Sequence, residues 1–499
     1  MALLISKTTF LEFLLCPKNI WLKLHKPELM EQFTLSAFEQ QLAEQGNEVE
    51  AVAHGLFPGG VEVTGRGEAG VEETKQLMAS SVPYIFQATF IVDGFIAKVD
   101  VLRRGEGGAW DILEIKGTNS LKEEGADRSH LDDLTFQTSV LRRAGVSVGA
   151  CILVHLNKEY VRSGELEIEK LFVFEDITEK VEDHLQEVEL QMEAAKEHLT
   201  KDTEPMQGCD CIYKGRSAHC STFAYSNPEV PEYSIHDLAR IGSSKKKLQS
   251  MVERKLFGID EVPADISLSE IQENQAQVYR TNSPIIETEK IREHIAPLQL
   301  PLYFLDYETF APAIPMFNGY SPYARIPFQF SLHILRDPQG ELEHVEYLHE
   351  EHTDPSPIVA QLLAKHIESG GTVISWNKSF EQGVNKELVA RLPEHASTLL
   401  RINEHMYDLR EIFQKQYYVH PLFKGKTSVK KVLPALVEGI RHADLNITEG
   451  GQASEAWMQL LTGTPEEKAK IAEDLRTYCA LDTYAMFQIW EHLYQMVME

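Results

Sequence analysis

The sequence is poor in positive charge and has no apolar run long enough to cross a bilayer. Its 499 residues include 48 Lys and Arg but 76 Asp and Glu, which gives a formal net charge of −28. That balance argues against a protein coated in nucleic acid, because phosphate binding needs positive surface. It still allows an enzyme with a local basic channel, and carboxylates that hold a divalent metal add to the negative count.

Signals for export and membrane insertion are also lacking. The apolar stretch at the N-terminus is interrupted by Lys7 and Glu12, and no small-residue cleavage site follows it. We therefore expect a cytoplasmic protein that does not contact a membrane. A chain of this length exceeds one hydrophobic core, so we expect two or three domains.

Cysteine is scarce, with six residues, and a disulfide framework is not expected in the cytosol. Cys151 lies in the apolar run ACILVHL and is predicted to be part of the core, whereas Cys479 stands alone. The other four are one early residue and a later trio: Cys16, Cys209, Cys211 and Cys220.

The predicted elements alternate between strands and helices, which is the order of an α/β protein. Residues 1–225 form a first region and residues 296–499 another. Residues 226–295 are polar and predict a helical linker, or alternatively a helix-hairpin-helix-like element. The predicted strands are YIFQATFIV, FIAKVDVLRR, WDILEIKG, ACILVHL, KLFVFE, LYFLDYETF, FQFSLHIL and TVISW. The predicted helices of the first region lie around residues 8–25, 35–54, 131–144 and 178–199.

Three charged residues occupy two neighbouring strands of the first region. Side chains alternate across a strand, so Glu114 and Lys116 of WDILEIKG point to the same face. Asp100, at the end of FIAKVD, supplies a second carboxylate. Two carboxylates can hold Mg²⁺, and a lysine beside them can orient or deprotonate water and stabilise charge on a phosphate. The pattern alone also suits a surface strand with an ion pair.

In this context the three residues resemble the PD-(D/E)XK nuclease core, in its RecB-like branch. The resemblance implies that Asp100 and Glu114 bind metal, that Lys116 is catalytic, and that Gln137 on the following helix belongs to the site. It also implies a metal ligand on an earlier helix. Within GNEVEAVAHGLFPGG that ligand is Glu50, with Glu48 as the other choice. Leu141 stands where the branch often has a tyrosine after Gln-x-x-x, which is a departure at the substrate contacts.

The cysteines extend this resemblance. RecB-like nucleases of the AddB type, and related CRISPR-adaptation nucleases, can carry an iron–sulfur cluster on one cysteine before the core and three after it. This implies a 4Fe-4S cluster held by Cys16, Cys209, Cys211 and Cys220. Zinc and the absence of metal stay open, because thiolates suit both kinds of site and the C-x-C-x8-C spacing departs from the usual trio.

A second set of acidic residues lies in the last region. Asp306 and Glu308 share one face of the strand LYFLDYETF, and two adjacent carboxylates repel unless a cation lies between them. Asn377 is predicted to cap a helix whose first turn carries Glu381. Near the C-terminus, Tyr478 and Asp482 are four residues apart on a helix and share a face.

These pieces resemble the DEDD exonucleases of the RNase H-like (DnaQ-type) fold, in their tyrosine variant. The resemblance implies that two divalent ions are held by four carboxylates and that Tyr478 orients or activates water. The carboxylates would be Asp306, Glu308, Glu381 and Asp482, with Glu381 standing where Asp is usual. Asp408 is a fallback ligand that we interpret as structural.

The stretches IPFQFSLHIL and KTSVKKVLPAL resemble a family of bacterial proteins of uncharacterised function that fuse a RecB-like domain to an RNase H-like domain. We therefore expect a nuclease that uses Mg²⁺ or Mn²⁺ at two centres, the C-terminal one a 3′–5′ exonuclease. The expected substrate is single-stranded DNA, or RNA, in DNA repair or defence, with a helicase or another repair or defence protein as partner. The alternatives are a nucleic-acid-binding scaffold with one or both centres inactive, and an iron–sulfur redox sensor. The sequence leaves the oligomeric state open.

Overall fold

The computed structural model describes residues 3–30, 37–121, 130–206 and 208–498. The described residues are a mixture of helices and mixed β-sheets in two compact units. Unit 1 is built from parts of the ranges 1–212, 218–228 and 312–323, and unit 2 from parts of 213–217, 229–311 and 324–499. Within these described ranges, no helix is long and apolar enough to cross a membrane.

A mixed sheet of seven strands forms the centre of unit 1. The order is β2-β3-β4-β5-β6-β7, and β1 pairs with the start of β4. Neighbours are antiparallel except for the parallel pairs β1/β4, β2/β3 and β5/β6. The strands are β1 (Ile5–Ser6), β2 (Val61–Glu62), β3 (Tyr84–Val92), β4 (Phe95–Arg104), β5 (Trp110–Lys116), β6 (Val148–Leu156) and β7 (Phe172–Asp176).

Helices cover both faces of this sheet, so its strands are apolar on both sides. Alternate residues of β5 enter different cores: Ile112 packs on one face, and Leu113 and Ile115 pack on the other. Cys151 is buried in the first of these cores, as the sequence predicts. The helices are α1 (Lys7–Leu15), α2 (Pro17–His25), α3 (Ala37–Ala53), α4 (Glu68–Ala79), α5 (His130–Arg143), α6 (Ile168–Leu171), α7 (Thr178–Leu199) and α8 (Phe223–Ser226).

The single helix predicted around residues 8–25 is wrong, because the chain forms two helices that meet at Cys16. Cys16 is extended, with φ −160° and ψ 98°, and Pro17 begins the second helix. Proline disfavours helical geometry in the residue before it and suits the first turn of a helix, so the pair Cys16-Pro17 ends one helix and starts the next. The next predicted helix begins in the structure at Ala37, and its first two predicted residues, 35 and 36, lie outside the described residues.

Unit 2 contains a mixed five-stranded sheet in the order β11-β10-β9-β12-β13, with β9 at its centre. Strands β9, β10 and β11 are antiparallel, whereas β12 runs parallel to both β9 and β13. A separate antiparallel pair joins β8 and β14. The strands are β8 (Ile285–Ile286), β9 (Leu302–Phe310), β10 (Ile326–Leu335), β11 (Leu342–Leu348), β12 (Thr372–Ser375), β13 (Met406–Asp408) and β14 (Tyr418–Val419).

Successive residues of β9 enter opposite cores, which is the period-two pattern of a strand buried on both faces. Leu302 and Phe304 pack into one core, and Tyr303 and Leu305 into the other. The helices that cover these faces and the remaining helices of unit 2 are α9 (Lys245–Glu253), α10 (Glu270–Thr281), α11 (Thr288–Ile295), α12 (Ser356–His366), α13 (Lys378–Arg391), α14 (Ala396–Glu404), α15 (Glu411–Gln414), α16 (Val429–Leu436), α17 (Gly450–Thr462) and α18 (Pro465–Met498).

The polar region 226–295 is mostly helical, and its residues from 229 onward group with unit 2. The stretch considered as a helix-hairpin-helix has one α-helix, α9, preceded by short 3₁₀ turns at Ile235–Asp237 and Ile241–Ser243.

Candidate functional site

The charged residues of β4, β5 and α5 lie close together in unit 1. Glu114 Oε1 accepts a hydrogen bond from Lys116 Nζ at 2.6 Å, and Glu114 Oε2 accepts one from Gln137 Nε2 at 2.7 Å. Asp100 Oδ2 accepts from the backbone N–H of Ile115 at 2.9 Å. The structure therefore brings the four predicted residues of the N-terminal centre to one place, with Glu114 fully buried.

Two further side chains complete this centre, and neither belongs to the predicted set. Asp133 accepts hydrogen bonds from Lys116 Nζ at 2.7 Å and from Gln137 Nε2 at 2.8 Å. Lys7, the first residue of α1, contacts Glu114 Oε1 and lies 3.5 Å from Asp133 Oδ2. Asp133 was within reach of sequence reasoning, since it precedes Gln137 by one helical turn. Lys7 is more than a hundred positions from Glu114 in the sequence and has no such local signal.

The electrostatics of the N-terminal centre follow from burial and from these contacts. Burial, reinforced by the charge of Glu114, raises the pKa of Asp100 well above its usual range. Burial alone would raise the pKa of Asp133, but the ammonium groups of Lys116 and Lys7 outweigh it and lower that pKa. Burial would lower the pKa of Lys116, but Asp133 and Glu114 outweigh it, so the lysine remains charged.

Glu50 lies near this centre on α3. Its charge contributes to the raised pKa of Asp100, and its carboxylate contacts Gln87 Nε2 and lies 3.7 Å from His54 Nε2. Gln87 has a left-handed backbone, with φ 55°, which is uncommon outside glycine and is found at functional sites. Glu48, the other choice from the sequence, is exposed. Leu141 is buried in the core of unit 1.

The four grouped cysteines converge in unit 1. Their sulfur atoms all lie within 4.8 Å of one another, with Cys209 Sγ 3.3 Å from both Cys16 Sγ and Cys220 Sγ. Cys16, Cys209 and Cys211 are buried and Cys220 is half-buried. This group could hold a metal ion, because four soft thiolate donors at one point match tetrahedral metal sites.

The spacing of the sulfur atoms bears on which metal would fit. Four thiolates around one ion, each about 2.3 Å from it, lie about 3.8 Å apart, which is within the observed spread. A four-iron cluster binds each thiolate to a different iron and needs a wider spacing of the four sulfurs. The four cysteines could hold a metal ion.

The second set of acidic residues converges in unit 2. Asp306 and Glu308 lie on β9, Glu381 lies in the first turn of α13, and Asp482 lies on α18. Glu308, Glu381 and Asp482 are buried and Asp306 is half-buried. Asp306, Glu308 and Cys479 could hold a metal ion, since their ligand atoms lie within 4.8 Å of one another.

The carboxylates of unit 2 act on one another at close range. Burial, and then the charges of Asp482, Glu308 and Glu381, raise the pKa of Asp306 well above its usual range. Burial followed by Asp482 does the same for Glu308. Burial also raises the pKa of Glu381 to about 8. Glu381 Oε2 is buried and makes no hydrogen bond of ordinary geometry among the described residues, although an interaction with Ser375 partly offsets its raised pKa. A cation at this position would satisfy it.

Three residues that the sequence analysis did not assign to the second centre contact its members. His442 Nε2 lies 2.8 Å from Asp482 Oδ1, and His442 is itself buried. Lys430 Nζ donates to Tyr478 OH at 3.1 Å, and its charge partly offsets the raised pKa of Glu308. Cys479, which stands alone in the sequence, lies beside Asp306 and Glu308. In the sequence, the only sign that Cys479 lies near this centre was its position next to Tyr478.

The predicted side-chain cap by Asn377 is wrong, and Asp408 takes that role. Asn377 is at the N-cap of α13 but makes no capping hydrogen bond, because its side chain accepts from Ser379 Oγ. Asp408 accepts from the backbone N–H of Lys378 at 3.2 Å and from that of Arg410 at 3.0 Å. These contacts support the interpretation of Asp408 as structural, although its charge also contributes to the raised pKa of Glu381.

Comparison with known families identifies one similarity. A family model described as a domain of unknown function, DUF2779, matches residues 303–428. This segment includes Asp306, Glu308 and Glu381 but ends before Tyr478 and Asp482. No curated protein matches the chain.

Proposed function

We propose that the protein is a metal-dependent nuclease that hydrolyses phosphodiester bonds at two centres. The N-terminal centre, in a RecB-like PD-(D/E)XK core, comprises Asp100, Glu114, Lys116 and Gln137, with Glu50 nearby. The C-terminal centre, in an RNase H-like DEDD core, acts as a 3′–5′ exonuclease. The substrate is nucleic acid, single-stranded DNA first and RNA as the alternative, in DNA repair or defence.

One observation carries the proposal: four carboxylates from three separate elements converge in unit 2. Asp306 and Glu308 come from the central strand, Glu381 from α13 and Asp482 from α18. Burial raises the pKa of Asp306 and Glu308, and the charge of Asp482 adds to both shifts. Glu381 Oε2 is buried and makes no hydrogen bond of ordinary geometry among the described residues. Buried like charges of this kind require either protons or cations.

Divalent Mg²⁺ or Mn²⁺ fits this donor set, and such ions neutralise charge on a phosphate and lower the pKa of water. Asp306, Glu308, Glu381 and Asp482 would hold them. Tyr478, with Lys430 at 3.1 Å from its hydroxyl, is placed to orient a water molecule, and the lysine supplies positive charge for a phosphate. His442 Nε2, 2.8 Å from Asp482 Oδ1, would fix the direction of that carboxylate.

In the N-terminal centre, Asp100 and Glu114 would hold the metal, and Lys116 would stabilise charge on the phosphate. Gln137 fixes Glu114 through a 2.7 Å hydrogen bond. The cysteine group would hold a 4Fe-4S cluster, as the resemblance implies, or a single zinc ion, as the short sulfur–sulfur distances favour. Metal analysis of the purified protein decides between iron and zinc.

Two rival functions have specific observations in their favour. A nucleic-acid-binding scaffold is favoured by the two ammonium groups that already neutralise Glu114 and Asp133. A redox sensor is favoured by the cysteine group, if it holds an iron–sulfur cluster. In either case, a helicase or another repair or defence protein would do the chemistry or read the signal.

The experiment that separates these functions is hydrolysis of single-stranded DNA and RNA labelled at the 3′ end, with Mg²⁺ or Mn²⁺. We expect release of labelled mononucleotides that requires the divalent ion. Binding without any release, in both metals and on both nucleic acids, would leave the scaffold as the better account. A change in binding on oxidation of the cysteine-bound group, again without release, would favour the sensor.

A further inference from the structure

Lys7 lies in the N-terminal centre although no sequence motif includes it. Its ammonium contacts Glu114 Oε1 and lies 3.5 Å from Asp133 Oδ2. Lys116 uses the same two carboxylates, at 2.6 Å and 2.7 Å. Two ammonium groups therefore share one pair of acidic side chains.

Solvent exposure separates the cations of this group from the acids. The side chains of Lys7 and Lys116 are 25% and 24% exposed, whereas those of Glu114 and Asp133 are 0% and 4% exposed. The carboxylates thus lie beneath two lysine side chains that are partly exposed. These lysines place positive charge over the site, on a chain whose net charge is −28.

The local fold fixes the position of Lys7. The residues before it, Ile5–Ser6, pair with the start of β4, the strand that carries Asp100. Ser6 then caps α1 by accepting from Thr9 N at 3.2 Å. Phe10, one turn further along α1, stacks on Phe136 of α5 at 5.1 Å between ring centroids. Lys7 is therefore held beside β4 and α5, the elements that carry Asp100 and Asp133, and is not a freely moving surface lysine.

Lysine side chains carry a positive charge at neutral pH, because their ordinary pKa is about 10.4. A lysine ammonium binds phosphate as a point charge with three hydrogen-bond donors. Two neighbouring ammonium groups therefore suit the two free oxygens of a phosphodiester.

We propose that Lys7 is a substrate-contacting residue of the N-terminal centre, and that it and Lys116 together bind one nucleic-acid phosphate. This inference rests on the proposed nuclease function and names the group that would bind the substrate. Glu114 and Asp133 position the two ammonium groups from below, so both groups are already in place before a phosphate binds.

The test measures how salt affects binding of a labelled 40-nucleotide oligo-dT to the full-length chain, in chelator so that no hydrolysis occurs. Each lost phosphate contact on a single strand lowers the slope of log K against log salt by about 0.7. We expect this loss for Lys7→Gln, and a retained slope for Lys7→Arg, which keeps the charge. Lys23→Gln is the matched control, because it breaks a 2.8 Å ion pair with Glu12 of α1 outside the centre.

Lys7→Met is a second neutral variant that keeps the aliphatic stem, in case the Gln variant fails to fold by circular dichroism. An unchanged slope in the folded neutral variants overturns the proposal, and so does a wild-type chain that binds no oligonucleotide. A slope that depends on Lys7 in a wild-type chain that does not hydrolyse DNA or RNA would uphold the phosphate contact and refute the nuclease function. The two failures are therefore distinguishable.

Discussion

The carboxylates of unit 2 should make the stability of the chelated protein fall as pH rises. Burial raises the pKa of Glu381 to about 8, and burial with neighbouring charges raises those of Asp306 and Glu308. In the unfolded chain such groups lose their protons near pH 4 to 4.5. Between that pH and about 8 the folded chain therefore holds more protons than the unfolded chain. The contribution of these carboxylates to the free energy of unfolding therefore decreases with increasing pH.

The size of the effect can be worked out for Glu381. One extra proton on the folded chain changes the free energy of unfolding by about 1.4 kcal/mol per pH unit. From pH 6 to pH 8, Glu381 alone should therefore lower stability by about 2 kcal/mol. A divalent ion replaces the proton as the neutralising charge, and at 100 times its Kd it restores about 2.7 kcal/mol. The stabilisation by the ion should be larger at pH 8, because fewer protons compete for the carboxylates.

The assay is urea unfolding at pH 6 and pH 8 in chelator, followed by tryptophan fluorescence. Three of the five tryptophans, Trp376, Trp457 and Trp490, lie in unit 2 and report on it. Glu381→Gln should remove about 2 kcal/mol of the pH dependence, whereas Glu394→Gln, at an exposed position, should leave it unchanged. The reasoning is refuted if Glu381→Gln shows the same change in stability between pH 6 and pH 8 as wild type.

Three other changes test separate parts of the structure. Cys209→Ser should lower the metal content per chain, because Cys209 lies 3.3 Å from two of its partners; elemental analysis with unchanged content would contradict this. His442→Gln, in an Asp100→Ala background that removes a metal ligand of the N-terminal centre, should weaken Mn²⁺ binding about 10-fold or more, since orienting partners of metal ligands have effects of that size. Calorimetry with an unchanged Kd would refute the role of His442 on Asp482. Trp457→Ala removes a fully buried side chain and should lower the free energy of unfolding by about 3–5 kcal/mol. A loss below about 1 kcal/mol in urea unfolding would contradict this.

The central strands of both sheets were predictable because they are apolar runs bounded by turns, and β3, β4 and β9 have the predicted bounds. The edge strand β11, with the sequence LEHVEYL, was not predicted, because exposed polar residues interrupt its apolar pattern. The break between α1 and α2 was missed because the apolar pattern continues across Cys16. The signal was Pro17, whose effect on the preceding residue is local and readable.

Some residues of the candidate centres can be predicted from local sequence patterns, and others depend on contacts between distant segments. Side-chain period places Glu114 beside Lys116, and Asp306 beside Glu308, without any knowledge of the fold. Asp133 was also accessible in this way, one helical turn before Gln137. Contacts between distant segments leave no such periodic pattern in the sequence.

Lys7 and His442 illustrate those distant contacts. Each reaches an acidic residue of its centre from a segment whose position depends on the tertiary fold. The cap of α13 was missed for the same reason. Asp408 of β13 supplies it in place of Asn377, and the sequence of the helix contains no sign of that contact.

The central claim, that two hydrolytic centres work independently, is tested most directly by dividing the activity between two variants. Single-stranded DNA and RNA, labelled separately at the 5′ and 3′ ends, are incubated with Mn²⁺ and with wild type, Lys116→Ala or Asp306→Ala. Lys98→Ala, an exposed position on β4, and Asp337→Asn, an exposed position after β10, are the matched controls. The account predicts that Asp306→Ala abolishes release of 3′ label and Lys116→Ala abolishes only the remaining cleavage. Loss of both activities in one variant, or of neither in both, would contradict it.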